Sequence, residues 1–117
     1  MKTPLVLAGI VAASCFTNVA EARTSSPAEF RGFEKCVSAV SDESRGLVTQ
    51  RTYLINRDGA NANYFINGSR WEAGDREAVR IECETANNGR TLLNASIEPG
   101  RWVQDRGAKV RVEVAQN

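Results

Sequence analysis

SPAEFRGFEKCVSAVSDESR, running from Ser26 to Arg45, decides how the rest of the chain is read. Ser26 is a favourable N-cap, Pro27 stands where a missing N–H costs nothing, and Glu29 completes a Ser-x-x-Glu capping box. At about 100° per residue, Phe30, Phe33, Cys36, Val37 and Val40 gather on one side, and Arg31, Glu34, Lys35 and Ser38 on the other. The spacing predicts an amphipathic helix with one face to bury. Its pattern dissolves through Ser41 to Arg45, and Gly46 is the natural stop.

Upstream, Met1-Lys2 is a short positive region, Pro4 to Phe16 is apolar but too short to span a bilayer, and Ala20-Glu21-Ala22 is an A-x-A cleavage signal. Residues 1–22 are expected to be a secretory signal peptide, residues 23–26 a short tether, and residues 27–117 a single small domain. A rival reading takes Val11-Ala12-Ala13-Ser14-Cys15 as a permissive bacterial lipobox, with Ala12 where Leu is usual, making Cys15 a lipid-modified N-terminus. The expected location is periplasmic or secreted, or lipid-anchored in the envelope through Cys15, with no transmembrane span. Either route leaves Cys36 and Cys83, and two cysteines in an exported chain most often pair. The bridge would close a loop of about 47 residues, worth roughly 4 kcal/mol on the chain-entropy model.

Downstream of Gly46 the periodicity becomes strand-like. Leu47 to Asn56 is rich in β-branched and aromatic residues and ends at the turn Arg57-Asp58-Gly59. Ala62 to Ile66 resumes, Asn67-Gly68 carries the strongest two-residue hairpin signal, and Ala73-Gly74-Asp75 reads as another turn. Glu77 to Thr85 alternates cleanly, with Val79, Ile81 and Cys83 on one face and Arg80, Glu82 and Glu84 on the other. Cys83 therefore shares a face with the apolar residues, as it must to reach a packed helix. After Asn87-Asn88-Gly89, Leu93, Ala95 and Ile97 are expected to face inward. Beyond Pro99-Gly100, Ala108 to Ala115 sets Val110, Val112 and Val114 against Lys109, Arg111 and Glu113.

The expected fold is α+β: an N-terminal helix packed on one face of an antiparallel meander sheet of four to six strands, with one disulfide and a charged outer face. The element order resembles cystatin-type wrapped α+β domains. The Gln-x-Val-x-Gly signature of that family is absent, so neither the family nor its inhibitory function carries over.

The chain has 117 residues, 42% hydrophobic, a formal net charge of +1 and no histidine. Near-neutral charge argues against nucleic acid as a partner. Without histidine, His-based triads and the ordinary zinc, copper and non-haem iron sites are excluded, and an oxidised Cys36–Cys83 pair removes thiolate chemistry. No cofactor, metal site or catalytic residue is expected. Glu72, Asp75 and Asp105 lie near turns and could in principle supply the paired acids of a small carboxylate-dependent hydrolase. Asp58, Asn61 and Asn63 lack EF-hand spacing and read as a polar turn.

Both tryptophans sit in like surroundings: Arg70-Trp71 precedes Asp75-Arg76, and Arg101-Trp102 precedes Asp105-Arg106. In a purely structural reading each indole caps the core edge. In a functional one Arg70, Trp71, Arg101 and Trp102 form an exposed binding patch, since Trp and Arg dominate binding hot spots. A non-enzymatic domain that binds an unknown protein, as an inhibitor or accessory factor, is the leading expectation. Carbohydrate or peptidoglycan binding through Trp71 and Trp102 is the alternative.

Overall fold

A computed structural model describes residues 23–103 and 110–114. The expected signal peptide, Cys15 and Asp105 lie outside the described residues. In chain order the elements are β1 (Arg23–Thr24), α1 (Pro27–Ser41), β2 (Val48–Thr49), β3 (Thr52–Asp58), β4 (Asn61–Glu72), β5 (Asp75–Ala86), β6 (Thr91–Pro99) and β7 (Val110–Glu113).

The helix begins as its sequence requires. Ser26 accepts from the Glu29 N–H and the Glu29 carboxylate accepts from the Ser26 N–H, so the capping box is closed at both ends. The helix packs on the inner face of β5 and β6. There Phe33, Cys36 and Val40 meet Tyr64, Ile66, Ile81 and Cys83, all buried. Cys36 and Cys83 form a disulfide with their Cα atoms 5.9 Å apart, an ordinary span for such a bridge. Gly32 has a specific role. A Cβ there would overlap the Tyr64 ring at 2.6 Å from Cζ, and the space lets the Tyr64 hydroxyl donate to the Glu29 carbonyl at 3.0 Å.

The expectation of an antiparallel meander of four to six strands is corrected: among the described residues one helix lies on a mixed sheet of seven strands, and the fold is mostly β. The order is β1-β7-β3-β4-β5-β6, with β2 pairing β4. The last strand returns across the sheet to lie beside β3, and β1 joins it in parallel, Arg23 opposite Val112. Arg23–Thr24, expected within a tether, is thus part of the sheet. The Ser25 N–H donates to the Glu113 carbonyl at 2.9 Å, and the Ser25 hydroxyl meets the buried Tyr53 hydroxyl at 2.8 Å.

Two turn readings resolve differently. Asn67-Gly68 is not a hairpin; β4 runs straight through it, Asn67 opposite Arg80 and Gly68 opposite Val79. Gly68 is there because β2 crosses closely: a Cβ would run into the Val48 carbonyl. The hairpin falls instead at Ala73-Gly74, where both residues take positive φ (55° and 88°), as a two-residue turn of primed type needs. The single strand expected over 47–56 is interrupted at Gln50-Arg51. There the backbone changes neighbour: the Gln50 N–H donates to Asn67 while the Arg51 carbonyl accepts from Val114.

Strand β6 holds a further correction. The register slips between Glu84 and Thr85, so Asn94 opposes Glu84 while Leu92 opposes Thr85. Leu93 is the extra residue of this bulge and is half exposed, whereas Leu92 packs on the core. Ala95 and Ile97 pack inward as their alternation predicts.

Candidate functional site

Strand alternation sorts the candidate residues by face. Tyr64 and Ile66 of β4 look at the helix, so Phe65, Asn67, Ser69 and Trp71 look outward, and Arg76, Ala78, Arg80 and Glu82 of β5 stand opposite them on that outer face. Arg70 belongs to the inner side. Its guanidinium pairs with Glu77 at 3.1 Å and is only 17% exposed. The structure therefore separates Arg70 from Trp71, since neighbours in a strand cannot share a face.

Trp102 lies across the outer face. Its backbone is gripped by one side chain: Trp102 N–H donates to Asn67 Oδ1 at 2.6 Å, and Asn67 Nδ2 donates to the Trp102 carbonyl at 2.9 Å. The indole N–H donates to the Ile81 carbonyl at 2.9 Å. Phe65 meets the ring edge-on with centroids 5.1 Å apart, and the Arg80 guanidinium covers it at 5.1 Å. The segment leaving β6 thus runs over the sheet and covers part of its second face, which is less open than a one-layer expectation allows.

Trp71 stands near the Ala73-Gly74 hairpin and is 48% exposed. The Arg76 guanidinium sits over it at 5.0 Å, held by donating to the Ser69 carbonyl at 3.0 Å and the Ser69 hydroxyl at 2.7 Å. Exposed Val48 follows on the neighbouring strand, register partner of Ser69. Asn67, which anchors Trp102, and Trp71 are four residues apart on one face of one strand. The two tryptophan segments are therefore about 13 Å apart along β4. A groove of about 250 Å³ lies between them, lined by Val48, Gln50, Ser69, Ala78 and Arg101. Trp71, Arg101 and Trp102 are brought to one face; the guanidiniums that cover the indoles are those of Arg76 and Arg80. The period-2 alternation of β4 and β5 could have found both, once the hairpin is placed at Ala73-Gly74.

The carboxylate candidates Glu72 and Asp75 are register partners flanking that hairpin, both exposed. Asp58 and Asn61 likewise flank the turn at Gly59-Ala60. Among the described residues no group of three or more His, Cys, Asp or Glu could hold a metal ion, and no helix is long and apolar enough to cross a membrane.

One carboxylate is strongly perturbed, and it lies away from this face. Glu29, buried at the start of α1, takes both Nη atoms of Arg23 at 2.8 and 2.9 Å and Arg57 Nη1 at 3.1 Å, besides the Ser26 N–H. The Arg23 hydrogen bonds, opposed by burial and helped by the Ser26 N–H and Arg57, hold its carboxyl down at about 2. This clamp ties β1, α1 and β3 together. It is satisfied on every side, which suits a structural ion cluster better than an acid or base awaiting substrate. Burial pushes the Tyr53 phenol above its ordinary range, against the opposing hydrogen bond with Ser25.

Comparison of the chain with protein-family models, curated proteins and solved structures finds no match.

Proposed function

We propose that the chain is a small exported periplasmic or envelope protein acting as a non-enzymatic binding domain, an inhibitor or accessory factor, that contacts another protein through the hairpin end of its outer face. The carrying observation is Trp71: a half-exposed indole backed by a guanidinium and flanked by exposed Val48. Trp and Arg desolvated together at the centre of a contact supply most of the energy of many protein interfaces. The disulfide fits an oxidising compartment. The test is retention of a periplasmic partner by immobilised protein. Trp71→Ala should abolish retention and Glu72→Ala should keep it; equal retention by both variants would overturn the assignment.

A carbohydrate or peptidoglycan ligand is the second reading, favoured by the groove between the two tryptophan segments. Sugar stacking needs an open ring face, and on each indole a guanidinium already covers one. Unchanged tryptophan emission on titration with glycan fragments would remove this reading. The hydrolase reading is weaker still: Glu72 and Asp75 stand exposed at a hairpin.

A further inference from the structure

The sheet ends differently on its two sides. On one side the terminal strand is β1, two residues long and tied down by Arg23 and Ser25. On the other it is β6, nine residues long, paired to β5 alone among the described residues. A long edge of unpaired backbone groups accepts one class of occupant, another extended strand. Natural edges are blunted by lysines, inward charges or bulges. Here the bulge at Leu93 blunts one end only, and from Asn94 to Glu98 the edge is straight with a single charge, Glu98.

The direction of the free groups follows from one hydrogen bond. The Gly100 N–H donates to the Ala78 carbonyl at 3.0 Å. Bonded pairs alternate along an antiparallel ladder, so Glu98, Ser96 and Asn94 turn their backbone groups toward β5 while Ile97 and Ala95 turn theirs outward.

We infer that β6 pairs antiparallel with β6 of a second copy of this chain across a two-fold axis at Ser96. This register lets Ala95 and Ile97 exchange their outward N–H and C=O groups with Ile97 and Ala95 of the second copy. It also matches chemistry on both faces. Inward, Ala95 meets Ile97; at the bulged end half-exposed Leu93 falls opposite Pro99. Outward, Asn94 meets Glu98 as amide against carboxylate, and Ser96 meets itself. Shifting the axis to Ala95 would set Glu98 against Leu92, and shifting it to Ile97 would bring Ala95 against Pro99, which has no N–H to exchange. An isologous contact closes at two copies, since each copy's β6 edge is then used. Beside it, α1 and β6 bound a groove of about 490 Å³ whose helix wall carries Arg31, Glu34 and Lys35. The pairing does not use Trp71, so it stands apart from the proposed binding surface.

Sedimentation of the purified protein and cysteine cross-linking test it together. At the axis the two Ser96 residues form a non-hydrogen-bonded pair, the closest cross-strand geometry. Ser96→Cys should therefore give a covalent dimer about tenfold faster than Asn94→Cys, whose own copies lie four residues apart along the paired strands. Ala95→Pro removes an outward N–H that no strand among the described residues takes up and should shift the wild-type dimer to monomer. Ser96→Lys, which sets like charges opposite each other, should do the same without touching the backbone. A wild-type protein that sediments as a monomer at every concentration overturns the inference. So does a dimer that survives both Ala95→Pro and Ser96→Lys, or equal cross-linking at positions 94 and 96.

Discussion

The two faces of the sheet are built on opposite plans. The inner face is closed by covalent and apolar means: a disulfide, a stack in which Phe33 and Tyr53 ring centroids lie 4.8 Å apart, and Tyr64 fitted into the space left by Gly32. The outer face is closed in its middle, where hydrogen bonds fix Trp102, and is more open at its end, where Trp71 stays half exposed beside Gly46 and Arg76. The same residue type, after the same arginine, is structural in one place and available in the other. What separates them is the strand carbonyl and the Asn67 amide that Trp102 can reach. Exposure at Trp71 is therefore a property of position, and position is what makes it a candidate for binding.

That contrast can be broken by measurement, most severely on the inner side. Replacing Cys36 and Cys83 with serine should lower unfolding stability by about 4 kcal/mol in urea titration. A loss below about 1 kcal/mol would mean the helix is held by packing alone. The Glu29 clamp comes next. Its carboxyl falls from an ordinary 4.5 to about 2 in the folded chain, so the unfolded chain binds that proton more tightly. The stabilisation, about 3 kcal/mol, is complete above pH 4.5 and is lost as the pH falls toward 2. Glu29→Gln should flatten this part of the stability profile, and a slope unchanged by that substitution would place the acid sensitivity elsewhere.

On the outer side the effects should be smaller and should split between the tryptophans. Trp102→Ala removes a half-buried ring and its hydrogen bonds, and a loss of about 2 kcal/mol is expected by thermal or chemical denaturation. Trp71→Ala forfeits a guanidinium stack and the contact of the indole edge with Gly46, and should cost about 1 kcal/mol or less. If the two losses were equal, Trp71 would be a structural residue and the binding surface would have to be sought elsewhere.

What could be read from the chain follows the same division between local and distant causes. The helix, its capping box and the orientation of Cys83 depend on residues within a few positions of one another, and they stand as expected from residues 26–45 and 77–85. The placement of β7 beside β3 pairs residues some sixty positions apart, and no alternation pattern encodes which edge a strand will choose. Asn67-Gly68 misleads because a glycine that admits a crossing strand looks, in sequence, like a glycine that turns the chain. Leu93 and Leu92 exchange roles because one bulge reverses the parity of everything beyond it. At the candidate site, Trp71, Arg101 and Trp102 were legible as residue types, but Arg76 and Arg80 emerge only once the strand pairing is known.

The position of β7 also bears on how the protein comes into being. The last of the described strands to be made lies between β1, the first of them, and β3. Until Val110–Glu113 has left the ribosome, the long side of β3 that carries Tyr53 and Ile55 has no neighbour, and β1 has nothing to pair with. Closure of this side of the sheet therefore waits for residues 110–113. A chain arrested short of residue 110 would carry β3 as an open edge, on which a foreign strand could add.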